Sequence, residues 1–444
     1  MRTVSSEVSA YPRLGYAWYV CVLLLLAYMV SFLDRSVIAL LVIPIERDLA
    51  INDTQMSLLQ GFSFALFYAL LGLPIARIVD SKSRRTTIMV GIAFWSLATA
   101  ACGMAGRFWV LFLARVGVGA GEATLLPGAT SLVADYFPPT RCATALGIFA
   151  TGIYFGSGIA LVVGGILLIR LPATATLPVL GTLHAWQLVF MIVALPGLVL
   201  ALAMLTVREP VRRGVVAGRR GLPIATVGRY LNDNLITVIC HNLGFTFIAF
   251  ASYAATAWIP TIFVRVYGWT AGEIGVCLGV LVLIVGPLGS VTGGALADRF
   301  ARHGRGDGKF LVGLMAAIGL MAPAAVFPLM PGPYGSLAVL CPFMFFTAFV
   351  WGLAPASLQE IMPNQMRGQA TALYTGVLNL IGLGLGPASV AMLADYGFHD
   401  PSKLNLSAAI IVPMAGLTAA LCFRIGQRHY LATLERLADW RPVD

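Results

Sequence analysis

The segment Ala76-Arg77-Ile78-Val79-Asp80-Ser81-Lys82-Ser83-Arg84-Arg85 is a short polar, basic interruption between two long apolar stretches. A related pattern, Gly294-Ala295-Leu296-Ala297-Asp298-Arg299, ends an apolar stretch in the later part of the chain. A second pair of matches follows at 138–146 and 363–373, where each segment begins with Pro, passes through Arg and ends in Ala-Thr-Ala-Leu. Two matches in the same order indicate an internal repeat.

The regions around these segments are too apolar for a soluble protein. The chain has 444 residues, of which 59% are hydrophobic and 11% charged, whereas soluble domains carry roughly 25% charged residues. A bilayer is crossed by a helix of about 20 mostly apolar residues, and the sequence supplies twelve such stretches. We therefore predict an all-α membrane protein with twelve transmembrane helices.

The longest polar interruption divides the twelve predicted helices six and six. It is basic and contains Gly and Pro, and it lies at 208–233. We expect four parts: an N-terminal six-helix bundle at 1–207, a cytoplasmic linker at 208–233, a C-terminal six-helix bundle at 234–425, and a cytoplasmic tail at 426–444 that forms a short helix on the membrane surface. The repeat predicts that the two bundles are related by a pseudo-two-fold axis along the membrane normal.

The positive charge is distributed unevenly between the two sets of loops. The net charge is +10, with 29 Lys and Arg; 22 of these lie at the termini and in the loops on the same side, five lie in the other loops and two lie within predicted helices. Such an excess marks the cytoplasmic side. We expect both termini in the cytoplasm and no nucleic-acid partner. A multi-pass cell-membrane protein follows, and the lack of long soluble extensions favours a bacterial inner membrane.

The sequence gives no sign of a cofactor or of catalysis. Its seven cysteines are scattered singly, mostly in apolar stretches, without the spacing of metal ligands. It has no nucleophile and base in a recognisable pattern and no nucleotide-binding loop. We therefore expect no metal, no cofactor and no enzymatic activity.

The segment 76–85 resembles the signature Gly-x-x-x-Asp-[Arg/Lys]-x-Gly-[Arg/Lys]-[Arg/Lys] of the major facilitator superfamily. It departs from that signature at Ala76 and Ser83, where Gly is usual, and at Ser81, which replaces a basic residue. Arg115 and Gly119 in the fourth predicted helix resemble a second motif of the same superfamily. The resemblance extends from about residue 18 to residue 423, and it implies the major facilitator fold and secondary active transport.

Two further segments are similar to the Spinster family within that superfamily. These are Phe32-Leu33-Asp34-Arg35 in the first predicted helix, and 115–123, which contains Arg115, Gly119 and Glu122. The resemblance implies proton-linked movement of lysophospholipids or sphingosine phosphate. It also implies that the first and fourth helices line the central cavity.

Asp34, Arg35, Arg115 and Glu122 are charged residues inside predicted helices. Each costs about 2.5–3.5 kcal/mol at the centre of a membrane helix, so such residues are usually functional. We assign all four to proton coupling, with Glu122 as the proton carrier and Asp34 as a second candidate. We expect Arg35 to pair with Glu122 and, alternatively, to hold an anionic headgroup. The competing hypothesis is that the four charges serve only helix packing.

The substrate site should combine these charges with aromatic side chains. We expect it to be formed by Arg35, Glu122, Tyr28, Phe64, Tyr68, Tyr253, Phe346 and Tyr374. The second half offers neutral residues, near Ser252 and Thr347, where the first half has its charges. The first half is therefore expected to handle charge, and the second to supply an apolar wall.

The repeated cytoplasmic segments predict a gate made of charge pairs that break when the transporter opens to that side. The expected gate residues are Asp80, Arg84, Arg85, Asp135, Arg141, Asp298, Arg299, Glu360 and Arg367. The alternative is that these charges only set the membrane topology.

The preferred function is proton-coupled transport of an amphipathic, anionic, lipid-like solute by alternating access, with protons as the coupling ion. We expect the partners to be this solute and the membrane lipids, and the protein to be a monomer. One alternative keeps the fold but transports a small organic anion, a sugar acid or a hydrophobic drug. Another is a passive lipid facilitator or scramblase, which would need no protonatable residue.

Overall fold

The computed structural model describes residues 11–178, 181–212, 224–363 and 365–438. Within these residues, twelve helices are long and apolar enough to cross a membrane. They are α1 Leu14–Leu40, α2 Asp53–Gly72, α3 Arg84–Cys102, α4 Phe108–Tyr136, α5 Pro139–Arg170, α6 Ala185–Thr206, α7 Leu235–Tyr267, α8 Ala271–Arg302, α9 Gly308–Leu329, α10 Pro333–Ile361, α11 Arg367–Gly397 and α12 Pro401–Ala438. The prediction of twelve spans is confirmed.

Helices α1–α6, here the first half, pack mainly on one another, and so do α7–α12, the second half. In the first half, α1 packs against α5 and α6, and α3 against α4 and α6; in the second half, α12 packs against α7 and α9. The main contacts between the halves are α5 with α8 and α2 with α11. Because lipid cannot hydrogen-bond to the backbone, each span must satisfy its own polar groups, which a helix does.

An even number of spans places the start of α1 and the end of α12 on one side, which we call the terminus face. The other side, the opposite face, carries the short helix Val42–Leu49 between α1 and α2. It also carries an antiparallel hairpin of β1, Thr174–Leu177, and β2, Gly181–His184, in which Thr174 lies opposite His184.

Several spans depart from regular α-helix where they approach the centre of the molecule. The α-helical part of α1 ends at Ser36 and continues as a 3₁₀ turn, Val37–Leu40. Helix α4 is interrupted between Glu122 and Leu125. Helices α2 and α11 contain π-helical segments, Leu58–Phe62 and Leu378–Leu385, which contact each other. Such irregular turns are frequent at functional sites.

The halves are in close contact toward the opposite face. A Cβ atom added at Gly165 in α5 would lie 2.7 Å from the carbonyl oxygen of Gly272 in α8, so only glycine permits this backbone approach. Nearer the terminus face, Cβ atoms at Gly147 in α5 and Gly294 in α8 would meet no atom within 4 Å. The structure is therefore closed on the opposite face.

On the terminus face of the first half, Arg84 joins three segments of the chain. Its buried guanidinium is paired with Asp135 at the end of α4, and its Nε donates to Glu209 at 2.8 Å. Glu209 also accepts hydrogen bonds from the Ser83 hydroxyl and the Arg85 N–H, both at 2.9 Å. Partial burial raises the pKa of Glu209, but these hydrogen bonds outweigh burial and hold it below the usual value.

The corresponding region of the second half is held by Glu360. This residue pairs with Lys309 and accepts a hydrogen bond from the Tyr430 hydroxyl at 2.7 Å. Tyr430 lies beyond residue 425, where we expected a separate tail helix. That expectation is wrong for 426–438, because α12 continues unbroken to Ala438 and buries Tyr430 against the second half. Residues 439–444 lie outside the described residues.

The predicted linker at 208–233 is described only in part. Residues 208–212 follow α6, and Ile224–Asp233 forms a helix that precedes α7. The Tyr230 hydroxyl of that helix donates to the Ile361 carbonyl at 2.6 Å. Residues 213–223, which carry several of the predicted linker arginines, lie outside the described residues.

The buried position of Arg84 predicts a large effect on stability. Arg84→Ala leaves the carboxylate of Asp135 buried without its guanidinium partner, a change that costs about 3–5 kcal/mol in comparable sites. We expect the Tm of the purified protein to fall by about 3–5 °C. Arg141→Ala, at an exposed arginine on the same face, is the control and should leave Tm nearly unchanged. Equal Tm values for the two variants would show that the buried pair contributes no stability.

A candidate site for substrate and protons

A cavity lies between the two halves near the middle of the molecule. It encloses about 1190 Å³ of space including its open part. The first half contributes Arg35, Gln60 and Arg115 to the lining. Among the described lining residues, the second half contributes aromatic, aliphatic and hydroxyl side chains but no charged ones, including Ser252 and Thr347.

The central contact of the site is an ion pair between α1 and α4. The Nε of Arg35 donates to Oε2 of Glu122 at 2.6 Å, so the expected pair is present. The side chain of Glu122 is fully buried, whereas that of Arg35 is 18% exposed and lines the cavity. The carboxylate therefore lies behind the guanidinium, and a ligand in the cavity meets the guanidinium first.

Three aromatic rings surround the guanidinium of Arg35. Its Cζ lies 4.3 Å from the ring centroid of Phe64, 4.8 Å from that of Phe32 and 5.5 Å from that of Tyr68. Cations are attracted to ring faces at such distances. The rings also shield the pair from water, which strengthens its electrostatic attraction.

Local backbone geometry brings these groups together. Arg35 lies in the last α-helical turn of α1, just before the 3₁₀ turn, and Glu122 is the last residue before the interruption of α4. Gly119 lies one turn before Glu122. A Cβ atom there would lie 2.8 Å from the carbonyl oxygen of Phe64, so glycine lets α4 approach α2 closely enough to place Phe64 beside Arg35.

Asp34 and Arg115 lie deeper in the first half and do not form an ion pair with each other. The Asp34 side chain is completely buried and its Oδ2 accepts a hydrogen bond from the Thr99 hydroxyl at 3.1 Å. Arg115 donates instead to two backbone carbonyls, those of Asp34 at 3.2 Å and Leu59 at 3.3 Å. Arg115 thus ties α4 to α1 and α2.

The four charged side chains leave hydrogen-bonding capacity unused. Oδ1 of Asp34, Oε1 of Glu122 and Nη2 of Arg115 are buried and have no hydrogen-bond partner among the described residues. Unsatisfied buried polar atoms are costly. Proton coupling and helix packing both stay predictions for these four residues.

Some expected aromatic residues are in the site and others are not. Phe64 and Tyr253 line the cavity. Tyr68 stacks on Phe64, with centroids 5.5 Å apart, and faces Arg35. Tyr28 stacks on Phe149 at 4.6 Å, which places it beside the site within the first half.

Phe346 and Tyr374 lie outside the cavity lining, contrary to expectation. The ring of Phe346 packs over Gly319 of α9, where a Cβ atom would come within 2.7 Å of it. The ring of Tyr374 packs edge-on against buried His241, with centroids 5.4 Å apart. Both rings fill space within the second half, because helix packing decides which way an aromatic in an apolar span points.

The structure adds residues that sequence reasoning did not select. Gln60 lines the cavity from the π-helical segment of α2, and Thr99 supports Asp34 from α3. Trp351 lines the second half and packs against Tyr253 with centroids 5.8 Å apart. A polar amide in an apolar stretch was a usable signal for Gln60. The sequence around Trp351 offered no comparable signal.

The expected gate charges form pairs within each half rather than across the cavity. Arg84 pairs with Asp135 and with Glu209, and Glu360 pairs with Lys309. The side chains of Arg141, Asp298, Arg299 and Arg367 are exposed, and that of Asp80 lies outside the described residues. The role of these residues as a gate therefore stays a prediction.

Comparison with known proteins agrees with this architecture. The chain is 28% identical to an MFS-type efflux pump of Mycolicibacterium smegmatis, over 93% of each chain. It is 24% identical to protein spinster homolog 1 of Xenopus tropicalis, over 96% of this chain and 82% of the relative. A bacterial homolog of the human lysosomal transporter Spinster, solved in an inward-facing and unoccupied conformation, superposes with a TM-score of 0.76 at 26% identity, covering 97% of this chain and all of the other.

The family model of the Major Facilitator Superfamily matches residues 24–387, most of the chain. The match spans both halves and includes Asp34, Arg35, Arg115 and Glu122. Its members are transporters, so the function is transport rather than catalysis. The chain belongs to the Major Facilitator Superfamily and, within it, resembles the Spinster transporters.

Proposed function

We propose that this protein is a proton-coupled secondary transporter of an amphipathic, anionic, lipid-like solute. The observation that carries the proposal is the position of Arg35, which lines the cavity while its guanidinium is paired with the buried carboxylate of Glu122. In such a pair a proton can replace the guanidinium as the partner of the carboxylate, and an anionic ligand can replace the carboxylate as the partner of the guanidinium.

Protonation of Glu122 controls the charge that Arg35 presents to the cavity. While Glu122 is ionised, it neutralises the guanidinium and accepts a hydrogen bond from its Nε. When Glu122 is protonated, Arg35 keeps its charge and can bind a phosphate or carboxylate by two parallel hydrogen bonds. Proton and substrate therefore act on the same guanidinium, which couples their movements.

The walls of the cavity suit an amphipathic substrate. The charged residues lie on the first half, and Tyr253, Phe343 and Trp351 face them from the second half. A solute with an anionic head and an apolar body would place its head at Arg35 and its body against these rings. The similarity to Spinster proteins supports the lipid-like class, since the resemblance implies lysophospholipids or sphingosine phosphate.

Orientation and alternation complete the proposal. The excess of Lys and Arg on the terminus face supports a cytoplasmic location for that face in a bacterial inner membrane. The structure, which is closed on the opposite face, is then the inward-facing state. Transport follows when the halves rock to open the opposite face and close the terminus face.

A second candidate keeps the fold and changes the cargo to a hydrophobic drug or a small organic anion. The similarity to an MFS-type efflux pump favours this candidate. It uses the same Arg35 and the same aromatic wall, and only substrate measurements separate the two.

The first test measures flux of a labelled lysophospholipid in proteoliposomes with and without an imposed pH gradient. Wild-type flux should follow the gradient. Glu122→Gln should lose this response, because the amide cannot carry the proton. Glu435→Gln, at an exposed carboxylate near the end of α12, is the matched control and should behave like wild type.

Other outcomes of this test point elsewhere. Flux that ignores the gradient and survives Glu122→Gln would refute proton coupling and favour a passive facilitator. Absence of lysophospholipid flux in wild type, together with gradient-driven flux of a drug or organic anion, would refute the lipid-like cargo and leave the coupling intact.

The second test examines Arg35 with Arg35→Lys, which keeps the charge but loses the bidentate geometry. We expect the KM for an anionic lysophospholipid to rise by about 10-fold or more, because a charge-assisted hydrogen bond contributes about 1.5–3 kcal/mol. Arg107→Lys, at an exposed arginine beside the start of α4, is the control. An unchanged KM in Arg35→Lys would show that the headgroup binds elsewhere.

A further inference from the structure

A second group of charges, in which the side chain of Arg265 is 26% exposed, joins the two halves on the opposite face. Arg265, near the end of α7, donates from Nη1 to Oδ2 of Asp53 at 2.8 Å and from Nη2 to Oδ1 at 2.6 Å. Its Nη2 also donates to Oε2 of Glu46 at 2.8 Å. Asp53 is the first residue of α2, and Glu46 lies on the short helix before it. We call these three residues the opposite-face cluster.

The opposite-face cluster contains two acids and one base in a largely enclosed place. The side chain of Asp53 is 2% exposed and that of Glu46 is 12% exposed. The carboxyl group of Glu46 lies within hydrogen-bonding reach of that of Asp53. Oε1 of Glu46 is buried and receives no hydrogen bond from the described residues. If both acids were ionised, an uncompensated negative charge would be buried between the halves.

Neighbouring charged groups are engaged elsewhere. Asp48 lies on the same short helix. Its Oδ1 is 3.4 Å from Nε of Arg47. Its Oδ2 accepts a hydrogen bond from the indole of Trp186 at 2.8 Å and lies 3.2 Å from Nδ1 of His184. Of the described groups, those that act electrostatically on Glu46 are Asp53 and Arg265.

The end of α11 and the start of α12 also pack against the opposite-face cluster. Asp395 accepts hydrogen bonds from the N–H and hydroxyl of Thr54, at 2.8 and 2.7 Å. The carbonyl of Pro401 accepts from Arg265 at 3.3 Å. Asp400, just before α12, accepts from the N–H of Ser402 at 2.9 Å, and the side chain of Lys403 is exposed. These contacts fix Arg265 and α2 across the boundary between the halves.

Elementary electrostatics predicts the protonation state of this arrangement. When two carboxyl groups share one site, the first proton is held strongly, because a second negative charge there is unfavourable. Burial raises the pKa of Glu46, the nearby carboxylate of Asp53 raises it further, and Arg265 offsets only part of the rise, so the pKa reaches about 9. The opposite-face cluster then holds one proton at neutral pH.

We propose that Glu46 and Asp53 form a proton-binding site that is complete only while Arg265 closes the opposite face. Separation of the halves removes Arg265 and exposes Glu46 to water, where a carboxyl pKa is about 4.3. Opening the face therefore releases one proton to the solution on that side, and closing it takes one up. The site is distinct from the ion pair of Arg35 and Glu122, which lies entirely within the first half.

The sign of the pH effect follows from the raised pKa in the closed state. The closed state gains its proton-linked stability at low pH and loses it as the pH rises toward 9. Because one proton is bound on closing, the ratio of closed to open protein should fall by up to about tenfold for each pH unit between about 5 and 9. This inference rests on the alternation proposed above but not on the substrate or on Glu122.

The test measures the distance across the opposite face by electron–electron double resonance. Spin labels on unnatural amino acids replace Arg107 and Tyr334, which are exposed on that face in the first and second halves; the seven cysteines stay in place. Distances are recorded without substrate between pH 6 and 9. We expect the short distance of the closed state to give way to a longer one as the pH rises.

Three variants complete the test. Glu46→Gln mimics the protonated acid, so it should remain closed and change by less than about twofold per pH unit. Glu273→Gln is the matched control, because Glu273 is an exposed carboxylate on the same face and Gln preserves its helix-capping role; it should keep the wild-type response. Arg265→Ala should shift the protein toward the open distance at every pH.

The proposal is overturned by either of two results. The first is a wild-type distance that does not respond to pH. The second is a response that persists in Glu46→Gln but disappears in Glu122→Gln, which would assign the proton to the central site. A response lost in Glu46→Gln and kept in Glu122→Gln supports the opposite-face cluster, whatever the flux assay shows about the substrate.

Discussion

The ion pair between Arg35 and Glu122 is the interaction on which the central site depends. It brings α1 and α4 together in a region where charge is costly, beside the interruption of α4 at Glu122 and one turn after Gly119, which lets α4 approach α2. Phe32, Phe64 and Tyr68 then enclose the guanidinium. Removal of either charge would leave the other without its partner in the first half, so the packing of α1 against α4 and the charge of the central site depend on the same two residues.

Much of the fold could be predicted from sequence, because a bilayer permits few solutions for an apolar chain. Segments of about 20 apolar residues must be helices, and the repeated motifs near Asp80 and Asp298 indicate two similar halves. The irregular turns were not predictable. The π-helical segments of α2 and α11 and the 3₁₀ turn after Ser36 arise from contacts between distant helices, and no local sequence signal encodes them.

The charged part of the central site was also predictable, since charges are rare in spans and stand out. Aromatic residues are common there, and a ring such as that of Phe346 points wherever packing leaves room. The opposite-face cluster was missed for a different reason. Glu46, Asp53 and Arg265 lie near the ends of helices, where charges are ordinary in sequence, and only the meeting of the two halves encloses them.

The tight backbone contact at Gly165 and Gly272 has a mechanical consequence. Because only glycine permits this approach, a larger residue at either position would hold the halves apart on the opposite face. In the proposed motion Arg35 and Glu122 move together, because both belong to the first half. Arg265 belongs to the second half and its two acids to the first, so the proposed cycle would separate them. The proposed motion therefore preserves one electrostatic contact and has to rebuild the other.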